Sequence, residues 1–214
     1  MATAVIGVGS IGKTVAQLLV SGGEPVVLAS RNQSQATALA KELGGSASAT
    51  SVGDAVAQAD AVVFAVWFDT MKELITEHAD LLAGKVVIDP SNPISLDGGT
   101  VSRTLPDGQS AGEVIASLLP AGAHFAKAFG TLTAGQLAEG AHRDPQPAVL
   151  FYATDDDQAA ATTQRLITTA GFAPVKAGGV TASLRIEVFG DLHTMGGLDG
   201  KLVTAEEANA AITR

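Results

Sequence analysis

The chain has 214 residues, of which 46% are hydrophobic and 16% charged, with a formal net charge of -9 and no cysteine. Such an acidic surface repels a phosphate backbone, no Lys/Arg cluster serves an anionic membrane, and no run approaches the ~20 apolar residues of a bilayer span. These features point to a cytoplasmic protein with neither nucleic acid nor membrane as partner, and the missing cysteine excludes disulfides, thiol nucleophiles and thiolate metal sites.

The first element, "TAVIGVG" (3–9), reads as a buried strand that runs into glycine. It lacks the basic region that opens a signal peptide, and glycines break its apolar run. "SIGKTVAQLLVSGG" follows with Ile11, Val15, Leu18 and Leu19 at helical spacing, closed by Gly22 and Gly23. "PVVLAS" (25–30) is a second strand and 34–43 a second helix. "SASAT" (46–50) is a weak strand, followed by a short helix near 53–58. "DAVVFAV" (60–66) is a strand, 69–82 a helix, and "KVVID" (85–89) the next strand. This alternation predicts an α/β fold, a doubly wound and mostly parallel sheet covered by helices on both faces.

A loop rich in Pro, Gly, Asp and Ser is expected from Pro90 to Gly108, then a helix over 110–118 and a strand "AHFAKAF" (123–129). A polar insert, "EGAHRDPQP" (139–147), leads to the strand "AVLFYA" (148–153), a helix over 156–169 and a short strand near 173–177. A long helix is expected over 181–197, with Leu184, Val188, Leu192 and Met195 on one face. A last helix over 204–212 opens with Thr204 and Glu207 as a capping box. The division expected is a nucleotide-binding domain over 1–142 and a small lobe over 143–214. So small a lobe has little core of its own, and the apolar face of 181–197 predicts a homodimer through it.

The chemistry centres on Gly7-Val8-Gly9-Ser10-Ile11-Gly12, which directly follows a strand and opens a helix. That context makes the GxGxxG spacing a dinucleotide fingerprint. Gly7 makes the tight turn, Gly9 lets a pyrophosphate approach the backbone, and Gly12 lets helix and strand lie close. The amides of Ser10 and Ile11 then face the diphosphate at a helix N-terminus. A site specific for NAD carries Asp or Glu at the end of the second strand. Here Ser30-Arg31-Asn32 stands there, with a cation suited to a 2′-phosphate, so NADP(H) is the expected cofactor. Ala65-Val66-Trp67 and Asn92-Pro93, at two further strand ends, should border the same crevice.

The remaining polar candidates are weaker. Asp155-Asp156-Asp157 precedes a helix, where acids complement the dipole. His78, His124, His142 and His193 have no metal spacing, so no metal site is expected. His78 and His142 read as solvated and His193 as packed. Lys127, inside "FAKAF", is either snorkelling or aimed at an anion.

Taken together, "AVIGVGSIGKTVA", "VVLASRN", "AVVFAVWFDTM", "KVVIDPSNPIS", "SAGEVIASLLPAGAHFAKAFGTL", "VLFYATDDDQA" and "SLRIEVFGDL" resemble the NADPH-dependent coenzyme F420 reductase family, the deazaflavin:NADP oxidoreductases. The resemblance implies a Rossmann domain with a small C-terminal lobe, paired as a dimer, with the nicotinamide meeting a deazaflavin in the cleft. It puts Ala128, Gly130 and Thr131 on the acceptor side, with Ala128 also at the cofactor. Relatives often carry Asn or His where this chain has Gly130. Hydride transfer between two delocalised rings needs orientation more than an acid or base. Two alternatives stand beside it. One is an NADPH-dependent reductase of an imine or activated alkene, with Lys127 or His193 as proton donor. The other is a non-catalytic NADP-binding protein.

Overall fold

A computed structural model describes residues 2–213. The chain forms β1 (Thr3–Ile6), α1 (Ser10–Ser21), β2 (Val26–Ala29), α2 (Gln33–Leu43), β3 (Ala47–Ala49), α3 (Val52–Gln58), β4 (Ala61–Phe64), α4 (Phe68–Glu77), α5 (Ala79–Leu82) and β5 (Val86–Asp89). Then come β6 (Ile94–Asp97), β7 (Thr100–Arg103), α6 (Ala111–Leu118), β8 (His124–Ala128), α7 (Ala134–Gly140), β9 (Val149–Ala153), α8 (Asp157–Thr169), β10 (Ala173–Gly178), α9 (Ser183–Ile186) and α10 (Ala205–Ile212).

Eight strands make one sheet in the order β10-β9-β8-β5-β4-β1-β2-β3. β1 pairs in parallel with both β2 and β4, so the strand order reverses direction at β1. β8 and β9 pair antiparallel, which turns β9 and β10 against the rest. The doubly wound, mostly parallel sheet expected from the alternation of elements is the fold observed.

Each central strand is buried on both faces, as a sheet flanked by helices requires. Val5, Val63 and Ile88 join one apolar cluster with Val15, Ala16 and Leu19 of α1. Ala4, Ile6, Val62, Phe64 and Val87 join the opposite one with Met71 and Ile75 of α4. A third cluster gathers Phe151, Val175, Ile186, Leu192 and Ala208 at the C-terminal end. Residues 143–213 therefore extend the same sheet and add their own apolar patch.

Three elements differ from expectation. The segment 94–103 is a two-stranded hairpin, turned by Gly98 and Gly99 at φ +54° and +86°. The insert begins inside a helix, α7, which Thr133 and Gln136 start with a reciprocal capping box. The long helix over 181–197 does not form. One 3-10 turn (Val180–Ala182) and α9 end at Ile186, and turns follow to Gly200. Glycine stops the helix by packing backbone on backbone: a Cβ on Gly190 would lie 2.3 Å from the Arg185 carbonyl oxygen, and one on Gly196 would lie 2.1 Å from that of Gly190. Arg185 forks onto Asp191 at 2.7–3.2 Å, a bond that raises its pKa, and donates to the carbonyls of Ala211 and Ile212. Leu192 and Val188 are buried within the chain. The outward helical face on which a homodimer was expected is therefore absent.

Among the described residues, no helix is long and apolar enough to cross a membrane.

Candidate functional site

A cleft of roughly 920 Å³ lies beyond the carboxyl ends of β1, β2, β4 and β5. Ligands of doubly wound sheets sit where the strand order reverses, and this cleft is at that point. Its walls include Gly7, Gly9, Ser10 and Ile11 after β1, Ser30, Arg31 and Asn32 after β2, Ala65, Val66 and Trp67 after β4, and Pro90, Ser91 and Asn92 after β5.

Gly7 and Gly12 take the roles that the spacing predicts, the tight turn and the close approach of helix and strand. Gly7 has φ +97°, and a Cβ there would meet the Ala65 carbonyl oxygen at 2.4 Å. A Cβ on Gly12 would lie 1.9 Å from the Gly7 carbonyl oxygen, so α1 crosses β1 with no room for a methyl group. Gly12 is buried and outside the cleft wall. Gly9 is exposed, and a Cβ on it would meet nothing within 4 Å. It is also the N-cap of α1 and offers no side-chain hydrogen bond. The first amides of α1 have no side-chain cap, a geometry suited to an anion.

At the β2 end, Ser30 Oγ donates to the Asn32 carbonyl (2.7 Å) and Ser34 Oγ to Asn32 Oδ1 (2.7 Å), which shapes the turn that presents Arg31. Arg31 is exposed, and no ion pair with it occurs among the described residues. Lys13 and Glu42, not singled out from sequence, also line this end and pair at 3.2 Å. The pair is exposed, so it contributes little to stability, and Lys13 offsets Glu42, the one acid among the described residues of this wall.

The opposite end is built by hydrogen bonds across the fold. Ser91 N donates to Asp89 Oδ1 (2.7 Å), while Lys127 Nζ donates to Asp89 Oδ2 (2.7 Å) and the Ser91 carbonyl (2.6 Å). Glu187 Oε1 lies 3.7 Å from Lys127 Nζ and accepts from Gly112 N (3.0 Å), and Glu187 Oε2 lies 3.6 Å from Arg103. Asp89 and Glu187 are fully buried and Lys127 nearly so. Asn92 bridges two segments: its Nδ2 donates to the Gly130 carbonyl (3.1 Å), and its Oδ1 accepts from Val188 N (2.7 Å). His193 Nδ1 accepts from Met195 N (2.8 Å), so Nε2 carries the proton and donates to the Gly130 carbonyl (2.9 Å). Burial pushes the His193 pKa down to about 4, against the opposing pull of that bond. The ring is neutral at physiological pH.

Trp67 stands 58% exposed at the rim of the cleft. Pro93, Ala128, Gly130 and Thr131 are buried and stand behind the wall. Gly130 leaves no room for a side chain on this backbone, because a Cβ would lie 2.6 Å from the Pro90 carbonyl oxygen.

The other polar candidates are structural. Asp156 caps α8, accepting from Ala159 N (2.7 Å), and bonds to His124 Nδ1 (2.7 Å). Burial works to raise its pKa, but these bonds together hold it below the usual value. His142 is exposed, whereas the His78 side chain is only 15% exposed and packs beside Gly53, so it is not solvated as expected. Among the described residues, no group of three His, Asp or Glu is placed to hold a metal ion.

The family model described as NADP oxidoreductase, coenzyme F420-dependent, matches residues 2–93. Hypothetical protein SMa0349 of Sinorhizobium meliloti is 30% identical, with 90% of this chain and 93% of that one aligned at a TM-score of 0.81. A protein of Arthrobacter sp. FB24, named as a candidate F420-dependent NADP-reductase, is 24% identical over 86% of this chain and 87% of that one, with a TM-score of 0.74. Metalloreductase STEAP3 of Rattus norvegicus is 32% identical over 86% of this chain, which spans only 35% of that protein.

Proposed function

We propose that the chain belongs to the family of NADP oxidoreductases, coenzyme F420-dependent, whose model matches residues 2–93, and that it moves a hydride between NADP(H) and a deazaflavin of the F420 type. The residues present suit NADP(H). The glycine loop and the uncapped start of α1 receive the pyrophosphate, with Ser10 and Ile11 supplying amides. Arg31, with Ser30 and Asn32 as neutral donors, receives the 2′-phosphate. Trp67, Ser91 and Asn92 border the nicotinamide. When bound, the cofactor supplies or takes the hydride.

The observation that carries the deazaflavin reading is the state of the two groups that could donate a proton. Lys127 is buried and holds Asp89 and the Ser91 carbonyl, and His193 is buried, neutral and bonded at both nitrogens. Reduction of an imine needs such a donor. Transfer between two rings needs only that they be held face to face at the right distance. The chain's residues then serve to bind, orient and keep the site dry.

The test is anaerobic mixing of the protein with NADPH and oxidised deazaflavin, followed by absorbance. Bleaching of the deazaflavin band is the expected result. No change with NADPH demonstrably bound would reject this acceptor and move the search to imines and activated alkenes, and failure to reduce any of them would leave a non-catalytic NADP-binding protein.

A further inference from the structure

Ser91 combines two opposite properties. It lines the cleft and is only 5% exposed, yet its hydroxyl has no hydrogen-bond partner. A buried hydroxyl without a partner is costly, which points to an occupant that supplies one. The backbone of the same residue is tied at both of its polar groups. Its amide donates to Asp89 Oδ1 at 2.7 Å, and its carbonyl accepts from Lys127 Nζ at 2.6 Å. Lys127 is held in turn by Asp89 Oδ2 at 2.7 Å, with Glu187 Oε1 at 3.7 Å. Buried charges of this kind return less than their desolvation costs, so stability alone does not explain the cluster. Its geometric effect is to fix Ser91, which among the described residues with an unpartnered buried hydroxyl (Ser91, Thr131, Thr163 and Ser183) is the one that lines the cleft.

Resting on the reading of the cleft as an NADP(H) site, we propose that Ser91 Oγ is the polar contact for the nicotinamide carboxamide, and that Asp89 and Lys127 are positioning residues that aim it. A hydroxyl both donates and accepts, so it can meet either the carbonyl or the amino group of a carboxamide. The glycine loop anchors the cofactor by its pyrophosphate. Ser91, at the other end, sets how the nicotinamide ring lies and which of its faces meets the acceptor.

The experiment separates the two halves of the cofactor. Calorimetry is run with 2′,5′-ADP, which lacks nicotinamide, and with NADPH, and the fluorescence of bound NADPH is recorded. In Ser91→Ala, 2′,5′-ADP should bind within about twofold of wild type while NADPH binds about 3–10-fold more weakly, the worth of one hydrogen bond. Bound NADPH should then emit more like the free cofactor, and Ser91→Thr should restore both signals. The double variant Lys127→Met/Glu187→Gln removes one buried charge of each sign and should show the same split. NADPH binding and emission unchanged in Ser91→Ala would overturn the contact. Equal weakening of both ligands in the double variant would overturn the positioning role, leaving Lys127 a general structural residue. Wild-type protein that binds neither ligand would instead refute the cofactor reading on which the proposal rests.

Discussion

Acidification should destabilise this protein through His193 before its carboxylates titrate. The imidazole has a pKa of about 4 in the fold against 6.5 in the open chain. Below 6.5 the unfolded chain takes up a proton that the folded chain refuses. The stabilising contribution is therefore complete above 6.5, declines through the interval, and is gone below about 4. At about 1.4 kcal/mol for each tenfold, the whole interval is worth about 3 kcal/mol, and about 2 kcal/mol is already lost near pH 5. The assay is urea unfolding of wild type and His193→Gln at about pH 7.5 and about pH 5. Glutamine cannot titrate and can still donate to the Gly130 carbonyl. Carboxylates such as Asp156 contribute equally to both proteins and cancel in the difference. Wild type should lose about 2 kcal/mol more than the variant. Parallel losses would show that His193 titrates in the fold as it does in water, and the argument from burial would fail.

Arg31→Ala should cost about 1.5–3 kcal/mol of NADPH binding and leave NADH nearly unchanged, and equal losses by calorimetry would remove Arg31 from the 2′-phosphate. Gly12→Ala should destabilise by about 1–3 kcal/mol in urea unfolding, because its Cβ would lie 1.9 Å from the Gly7 carbonyl oxygen. The usual gain from replacing a helical glycine is about 1 kcal/mol, so the sign of the change is the test. Gly9→Val should fold normally, since a Cβ there meets nothing within 4 Å, and should fail to bind NADPH because the side chain projects where the pyrophosphate lies. Normal NADPH binding by that variant would make the glycine loop purely structural.

The half of the chain that carries the cleft is legible because its signals are local. β1, the glycines and the start of α1 occupy eleven consecutive residues, "TAVIGVGSIGK", and the strand ends that border the cleft follow apolar runs. The hairpin β6–β7 was also legible: Gly98-Gly99 between "ISLD" and "TVSR" is a two-residue turn signal. Proline and serine around it read as loop and hid the alternation. Leu184, Val188, Leu192 and Met195 misled because a four-residue apolar spacing does not require a helix. Turns folded onto one patch bury Val188 and Leu192 equally well, and Gly190, Gly196 and Gly197 made those turns possible. The ionic cluster had one local signal, Lys127 inside "FAKAF", which the structure aims at an anion, Asp89, and none that named its partners. Asp89, Lys127 and Glu187 each stand alone among apolar neighbours, and only the pairing of β5 with β8 brings the first two together.

Of the four non-glycine residues at positive φ among the described residues, Phe129, His142, Phe189 and Asp199, the two bulky aromatics fall beside that same cluster. Phe129 and Phe189 hold φ of +64° and +72°, a region bulky L-residues avoid. Each costs on the order of 1–3 kcal/mol, which the surrounding packing must outweigh. Phe129 directly precedes Gly130, whose carbonyl accepts from Asn92 Nδ2, and Phe189 directly follows Val188, whose amide donates to Asn92 Oδ1. Both partners of the Asn92 side chain are thus presented beside a strained residue. His193, five residues beyond Val188, reaches the same Gly130 carbonyl, and Lys127 and Asp89 hold Ser91 next door. Two stretches far apart in sequence, around Lys127–Gly130 and at Val188, converge on Ser91 and Asn92. A site that works by acid–base chemistry leaves its titrating groups room to exchange protons. Here Asp89 and Lys127 are bonded to the Ser91 backbone, an arrangement that suits the proposed transfer between two rings, which depends on their distance and tilt.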